Sequence, residues 1–143
     1  MEAILGQTLL SKSGPVPTSS LHNVDVVLLY FSAHWCPPCR GFTPKLAAFY
    51  NEVNASGNQI EVVFVSCDNS PAEFQGYYNE MPWLAVPFEN RALKSQLGTQ
   101  YSVSGIPALI LIDKTGRSLR TNCRNDVMGK SPQDAVNEWK QAR

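Results

Sequence analysis

The sequence predicts an α/β protein with a mixed central sheet and helices on both faces. Three observations carry that prediction. Val24 to Phe31 is an almost unbroken apolar run rich in valine and leucine, which reads as a strand buried on both faces and hence as a central parallel strand. A helical pattern and a second β-rich run, Ile60 to Ser66, follow it; strand, helix, strand in that order implies a right-handed parallel crossover. Ala108 to Ile112, the turn Asp113-Lys114-Thr115-Gly116 and Arg117 to Arg120 then read as an antiparallel hairpin. At 143 residues the chain reads as one domain, 1–143, long enough to bury a core without staples.

Residues 1 to 23 are weakly patterned, and Ser13-Gly14-Pro15-Val16-Pro17 reads as a loop or an edge strand. Asp25 marks the exposed start of the first apolar run. After it, Phe42, Leu46, Phe49, Tyr50 and Val53 recur at helical spacing. Pro44 falls inside that pattern and is expected to kink it. Asn54 to Asn58, with Gly57, ends it. Beyond the second strand, Ser70-Pro71-Ala72-Glu73 combines an N-cap, a proline at the first helical position and a glutamate placed to close a capping box. Phe74, Tyr77, Tyr78 and Met81 form the apolar face of that helix. Met81 to Phe88 reads as a hydrophobic loop because Pro82 and Pro87 break it. Residues 90–100 form another helix on Leu93 and Leu97. Ser131-Pro132-Gln133-Asp134 starts a last one with Val136 and Trp139 inward.

Composition narrows the function classes. Hydrophobic residues make up 43% and charged residues 17%, as in a soluble globular chain. Twelve Lys and Arg balance twelve Asp and Glu, so no basic surface points to nucleic acid. No run approaches the roughly 18 apolar residues of a membrane span. Residues 1–14 lack the basic and apolar regions of a secretory signal. The cysteines are Cys36, Cys39, Cys67 and Cys123, too few for a disulfide scaffold. A reducing compartment is therefore expected, cytoplasmic or nuclear, and a monomer.

The chemistry concentrates in Trp35-Cys36-Pro37-Pro38-Cys39. Residues i and i+3 share a helical face, at a separation that a disulfide can span. Cys36 opens the helix, where unpaired N–H groups and partial positive charge favour a thiolate. Cys39, one turn further in, is the shielded partner. Zinc would need four ligands, and no second Cys-x-x-Cys or His pair is present. The residues thus call for no metal and no cofactor. A reactive pair at the end of the first strand lies where open α/β sheets place their sites.

Three blocks carry a closer resemblance: Trp35 to Pro44, Met81 to Phe88, and Gly105-Ile106-Pro107-Ala108-Leu109. In that order they resemble the tryparedoxin and nucleoredoxin branch of the thioredoxin-like superfamily, over roughly residues 24 to 128. The resemblance implies a thioredoxin-like fold. It implies a disulfide oxidoreductase that reduces target protein disulfides through Cys36 and Cys39, the redox-active disulfide. It implies that Ile106–Pro107 is cis and faces the cysteines, with Trp35, Ile106 and Pro107 receiving substrate. Arg124 matches a family arginine implicated in binding the reductant. The implied partners are disulfide-containing proteins, peroxidases among them, and a low-molecular-weight thiol or a reductase as electron donor.

Tyr30 stands where many thioredoxins have a buried aspartate. Water and Tyr30 are then the candidates for the base that deprotonates Cys39, and a phenol with a reference pKa near ~10 is a poor one. Cys67 and Asn69 stand where tryparedoxins carry a tryptophan and an acid that help receive a glutathione-polyamine reductant. Cys67 itself is either a small buried residue at a strand end or an accessory thiol at the active edge. Cys123 reads as inert. His34 reads as an exposed polar residue or as an electrostatic neighbour of Cys36. The tyrosines at helical spacing and Trp139 read as core. Two functions are compatible with these residues: a dithiol reductase, or a redox-sensitive protein-binding module of the nucleoredoxin type.

Overall fold

In the computed structural model, which describes residues 1–142, the chain opens with the helical turn α1 (Glu2–Leu5). A hairpin follows, β1 (Thr8–Ser11) and β2 (Gly14–Pro17), then a 3₁₀ segment, Thr18–Asn23. The weakly patterned start is therefore ordered, and residues 14–17 take the edge-strand alternative. Gly14 permits this with φ of 118°, a conformation that side chains resist.

The first apolar run is β3 (Val26–Ser32), buried at every position. It leads into α2 (Pro37–Val53), which passes through Pro44 and ends at Asn54. Then come β4 (Ile60–Ser66) and α3 (Pro71–Tyr78). The α3 cap forms with one shift. Ser70 Oγ accepts the Glu73 N–H at 3.2 Å, while the Glu73 carboxylate takes the N–H of Asn69, not of Ser70, at 2.9 Å. Inside the supposed loop lies β5 (Leu84–Ala85), followed by α4 (Arg91–Gln100). The hairpin β6 (Ala108–Ile112) and β7 (Ser118–Arg120) precedes α5 (Cys123–Gly129) and α6 (Pro132–Ala142).

The sheet order is β2-β1-β5-β4-β3-β6-β7. β3 is parallel to β4, in register from Val26↔Ile60 to Ser32↔Ser66. On its other side it is antiparallel to β6, from Val27↔Ile112 to Phe31↔Ala108. The buried run thus earns a parallel neighbour on one side only. Strand alternation divides the core. Leu28, Tyr30, Val62, Phe64, Leu109 and Leu111 meet Leu46, Phe49, Phe74, Tyr77 and Trp139 from the helices of one face. Val27, Leu29, Phe31, Val65 and Ile110 meet Leu5, Leu21, Leu93 and Leu97 on the other. Each such buried side chain contributes about 1.5–3 kcal/mol. One consequence positions the site. The carboxyl ends of β3 and β4 and the amino end of β6 reach the same sheet edge, where Ser32 pairs Ser66 and Phe31 pairs Ala108.

Candidate active site

At that edge the chain leaves β3 through Ala33, His34 and Trp35 and enters α2 with Cys36 as its N-cap. Pro37 and Pro38 occupy the first helical positions, where a missing N–H costs least. Clamps from the end of β4 hold the entering loop. The Asp68 carboxylate accepts the His34 N–H at 2.6 Å and the Ser66 hydroxyl at 2.6 Å. The Cys67 N–H donates to the Ser32 carbonyl at 2.8 Å, and Trp35 Nε1–H donates to the Cys67 carbonyl at 3.0 Å. Arg91 in turn holds the Ser66 carbonyl at 3.0 Å. The ring of Trp35 is left half exposed, at 51%, beside Cys36.

The two cysteines differ in depth. Cys36 retains 5% exposure and Cys39 none. Both pack with Ala33, against Cys67 and Ile106, and all four cysteines are free thiols. The Cys36 thiol donates to the Ile106 carbonyl at 3.9 Å. Ile106–Pro107 is cis, and the carbonyl before the proline faces the reactive sulfur. Burial, with Cys36 as hydrogen-bond partner, pushes the Cys39 thiol up to about 11 against the opposing effects of the Ser32 hydroxyl and the Ala33 backbone. Burial likewise raises Tyr30 far above the ordinary phenol range, with Tyr77 adding to it. Tyr30 is therefore a still poorer base in place than its reference value suggests.

The predicted residues converge. Arg124, from α5, donates to the Pro107 carbonyl at 2.6 Å and lies 5.9 Å over the Phe42 ring. It lines an open cavity of about 530 Å³ along residues 101–110 and a smaller one of about 260 Å³ with Phe42, Lys45 and Met128. Cys67 packs on the cysteine pair. Burial raises its pKa, while Lys94 and Arg91 act in the opposite sense. Cys123 lies apart in the core, pushed up to about 12 by burial and by Asp126. His34 stacks on Tyr77 at 5.1 Å between ring centroids and approaches Glu80 at 3.8 Å. Trp83 is buried in the core. Among the described residues, no group of three or more His, Cys, Asp or Glu side chains could hold a metal ion. Nor is any helix long and apolar enough to cross a membrane.

The family model described as Thioredoxin-like matches residues 23–118. The chain belongs to the thioredoxin-like family. It is 48% identical over 132 residues to a tryparedoxin of Trypanosoma brucei brucei, covering 92% of this chain and 90% of that one. It is 42% identical over 127 residues to nucleoredoxin of Bos taurus, covering 89% of this chain but 29% of that protein. A solved tryparedoxin II complexed with glutathionylspermidine superposes with a TM-score of 0.79 at 38% identity, covering 85% of each chain. The protein is a thioredoxin-like thiol–disulfide oxidoreductase, similar to tryparedoxins and nucleoredoxins.

Some residues that shape the site escape the sequence reading. Asp68 is buried and fixes the loop that presents Trp35 and Cys36. Its signal was a small polar cluster directly after a strand, Ser66-Cys67-Asp68. Ser32, Thr43 and Tyr77 are the others. Thr43 was visible as the residue four after Cys39, hence on its helical face. Ser32 and Tyr77 reach the site only through the tertiary fold.

Proposed function

We propose that Cys36 is the attacking thiol and Cys39 the resolving thiol of a protein-disulfide reductase. The observation that carries this reading is their difference in depth: Cys36 edges into solvent at a helix N-terminus, and Cys39 is sealed one turn below it. The Cys36 thiolate attacks a target disulfide. One Cys36–target S–S bond forms, and the target's own S–S bond breaks. The Cys39 sulfur then attacks Cys36, forming the 36–39 disulfide and releasing the second target sulfur, which carries away the proton. Two electrons pass from the enzyme to the target, and an external dithiol restores them. Trp35 offers the target an exposed apolar platform, and the Ile106 backbone beside the cis-proline offers it an extended pairing edge.

The electron donor is a low-molecular-weight thiol or a reductase, and thiol peroxidases are among the targets. That a related tryparedoxin II is complexed with glutathionylspermidine supports a low-molecular-weight thiol as donor, and the open cavities beside Arg124 offer room for one. The cysteine usage fits a reducing compartment, cytoplasmic or nuclear.

A second reading is favoured by a specific observation. Trp35 and Met128, at 51% and 55% exposure, are the exposed large hydrophobic side chains among the described residues. A redox-sensitive binding module would use such exposed apolar side chains to hold a partner until oxidation. Insulin reduction separates the two. Driven first by dithiothreitol, then by glutathione, trypanothione or a thioredoxin reductase, a reductase turns over with at least one physiological donor. Stoichiometric binding without turnover would overturn that reading in favour of the module.

A further inference from the structure

Under the Cys36–Cys39 pair lies a chain of buried hydroxyls. Tyr30 and Ser32 point from β3 to the same face, two residues apart. Thr43 stands one turn beyond Cys39 on α2, and Tyr77 comes from α3. Tyr30 Oη lies 2.7 Å from Thr43 Oγ1, Thr43 Oγ1 2.5 Å from Tyr77 Oη, and Tyr77 Oη 2.7 Å from Ser32 Oγ. All four side chains are buried. The chain runs beside the sulfur: Thr43 shares the helical face of Cys39 on α2, and Ser32 directly precedes Ala33, which packs on Cys39. The Ser32 hydroxyl opposes the upward push that burial gives the Cys39 thiol.

Direction matters in such a chain. Each hydroxyl has one hydrogen and can also accept. If every hydrogen points toward the sulfur, Tyr30 donates to Thr43, Thr43 to Tyr77, Tyr77 to Ser32, and Ser32 to Cys39. Every hydrogen then has an acceptor, and each donor polarises the next. The arrangement is neutral, yet it turns a hydrogen bond toward a thiolate that nothing charged accompanies. The titratable groups around Cys39 are Cys36 on its own turn, Tyr77 from α3 and Cys67 from the end of β4, with Tyr30 from β3 one hydroxyl further off behind Thr43. Asp68, Lys94 and Arg91 stand beyond Cys67.

We propose that the Tyr30–Thr43–Tyr77–Ser32 hydroxyl chain stabilises the Cys39 thiolate during the second exchange, with these four as positioning residues. The inference rests on the reading of Cys39 as the resolving thiol. In the step it serves, the S–S bond between Cys36 and Cys39 forms as the bond from Cys36 to the target sulfur breaks. The proton of Cys39 leaves as the thiolate forms, and the departing target sulfur takes up the negative charge and then a proton; the hydroxyls keep their own protons and donate to the Cys39 thiolate before it attacks.

Stopped-flow reaction of the reduced protein with an aromatic disulfide that liberates a coloured thiolate resolves the two exchanges. The first colour release reports Cys36, the second Cys39. Ser32→Ala and Tyr77→Phe are expected to slow the second phase roughly tenfold, as for a lost hydrogen bond to a charged group. The pH midpoint of that phase should move up, and the first phase should stay within about twofold. Ser32→Thr, which keeps a hydroxyl, should restore the second phase. An unchanged second phase and midpoint would overturn the proposal. So would equal slowing of both phases, which marks general disruption. If instead Cys39→Ser still gives a second release, it is the resolving assignment that fails, not the hydroxyl chain alone.

Discussion

Two cysteines begin helices in this protein, and they differ in access to solvent. Cys36 is the N-cap of α2, and Cys123 is the first residue of α5. Both therefore stand at a helix N-terminus, yet their surroundings oppose each other. Cys36 reaches the solvent edge beside an exposed tryptophan, with Cys39 one turn behind it. Cys123 is fully buried, its thiol donates to the Arg120 carbonyl at 3.7 Å, and the Asp126 carboxylate nearby adds to burial in holding it protonated. Helix position alone therefore does not make a redox thiol; access and a second sulfur do.

The largest expected effect breaks the comparison outright. Cys36→Ser should lower insulin reduction roughly a thousandfold or more, because the nucleophile has no substitute. Next comes the base of the Cys123 pocket. Asp126 is buried and binds Arg120 through both oxygens at 2.8 Å, Lys130 at 2.9 Å and Trp139 Nε1 at 2.8 Å. Burial alone would raise its carboxyl, but the bonds from Trp139, Lys130 and Arg120 outweigh that and hold it below the ordinary value. Asp126→Asn should cost about 3 kcal/mol in urea unfolding. The sign follows from the depressed folded pKa. This stability is present above the unfolded value, near ~4, and is lost as pH falls through the folded one. A wild-type acid limb that persists unchanged in Asp126→Asn would contradict the assignment.

Two smaller effects sharpen the contrast. Trp35→Ala should raise KM for a protein disulfide several-fold and leave reduction of a small aromatic disulfide within about twofold, because the ring presents area rather than chemistry. Cys123→Ser should leave turnover within about twofold. It should, however, flatten the alkaline limb of stability. The Cys39 and Cys123 thiols are pushed up to about 11 and about 12, so the folded state holds protons that the unfolded chain releases near ~8.5. Their stabilisation is present below that value and fades as pH rises toward the folded ones. Thermal unfolding of the reduced protein from pH 8 to 11 reads both.

What was legible in the sequence was local. The continuous apolar run gave β3, the β-rich run Ile60 to Ser66 gave β4, and Ser70-Pro71 gave the start of α3. The spacing of Cys36 and Cys39 put them on one turn at the start of α2. What was hidden depended on partners far along the chain. β5 is two residues between helix-breaking prolines, and it is a strand only because β4 and β1 pair with it. α5 has no side-chain cap bond and no clear apolar stripe; Asp126 ties it to β7 and α6 through Arg120 and Trp139. The same holds beneath the site. Tyr77 carries the helical spacing of a core aromatic, and its ring is in the core. Its hydroxyl meets Ser32 and Thr43 only once three separate elements have packed.

The division of labour between the two reactive sulfurs is tested most directly by trapping. Cys39→Ser protein incubated with an oxidised protein substrate should accumulate a mixed disulfide, and peptide mass mapping should place it on Cys36. An adduct on Cys67 or Cys123, or no adduct while turnover persists, would contradict the account.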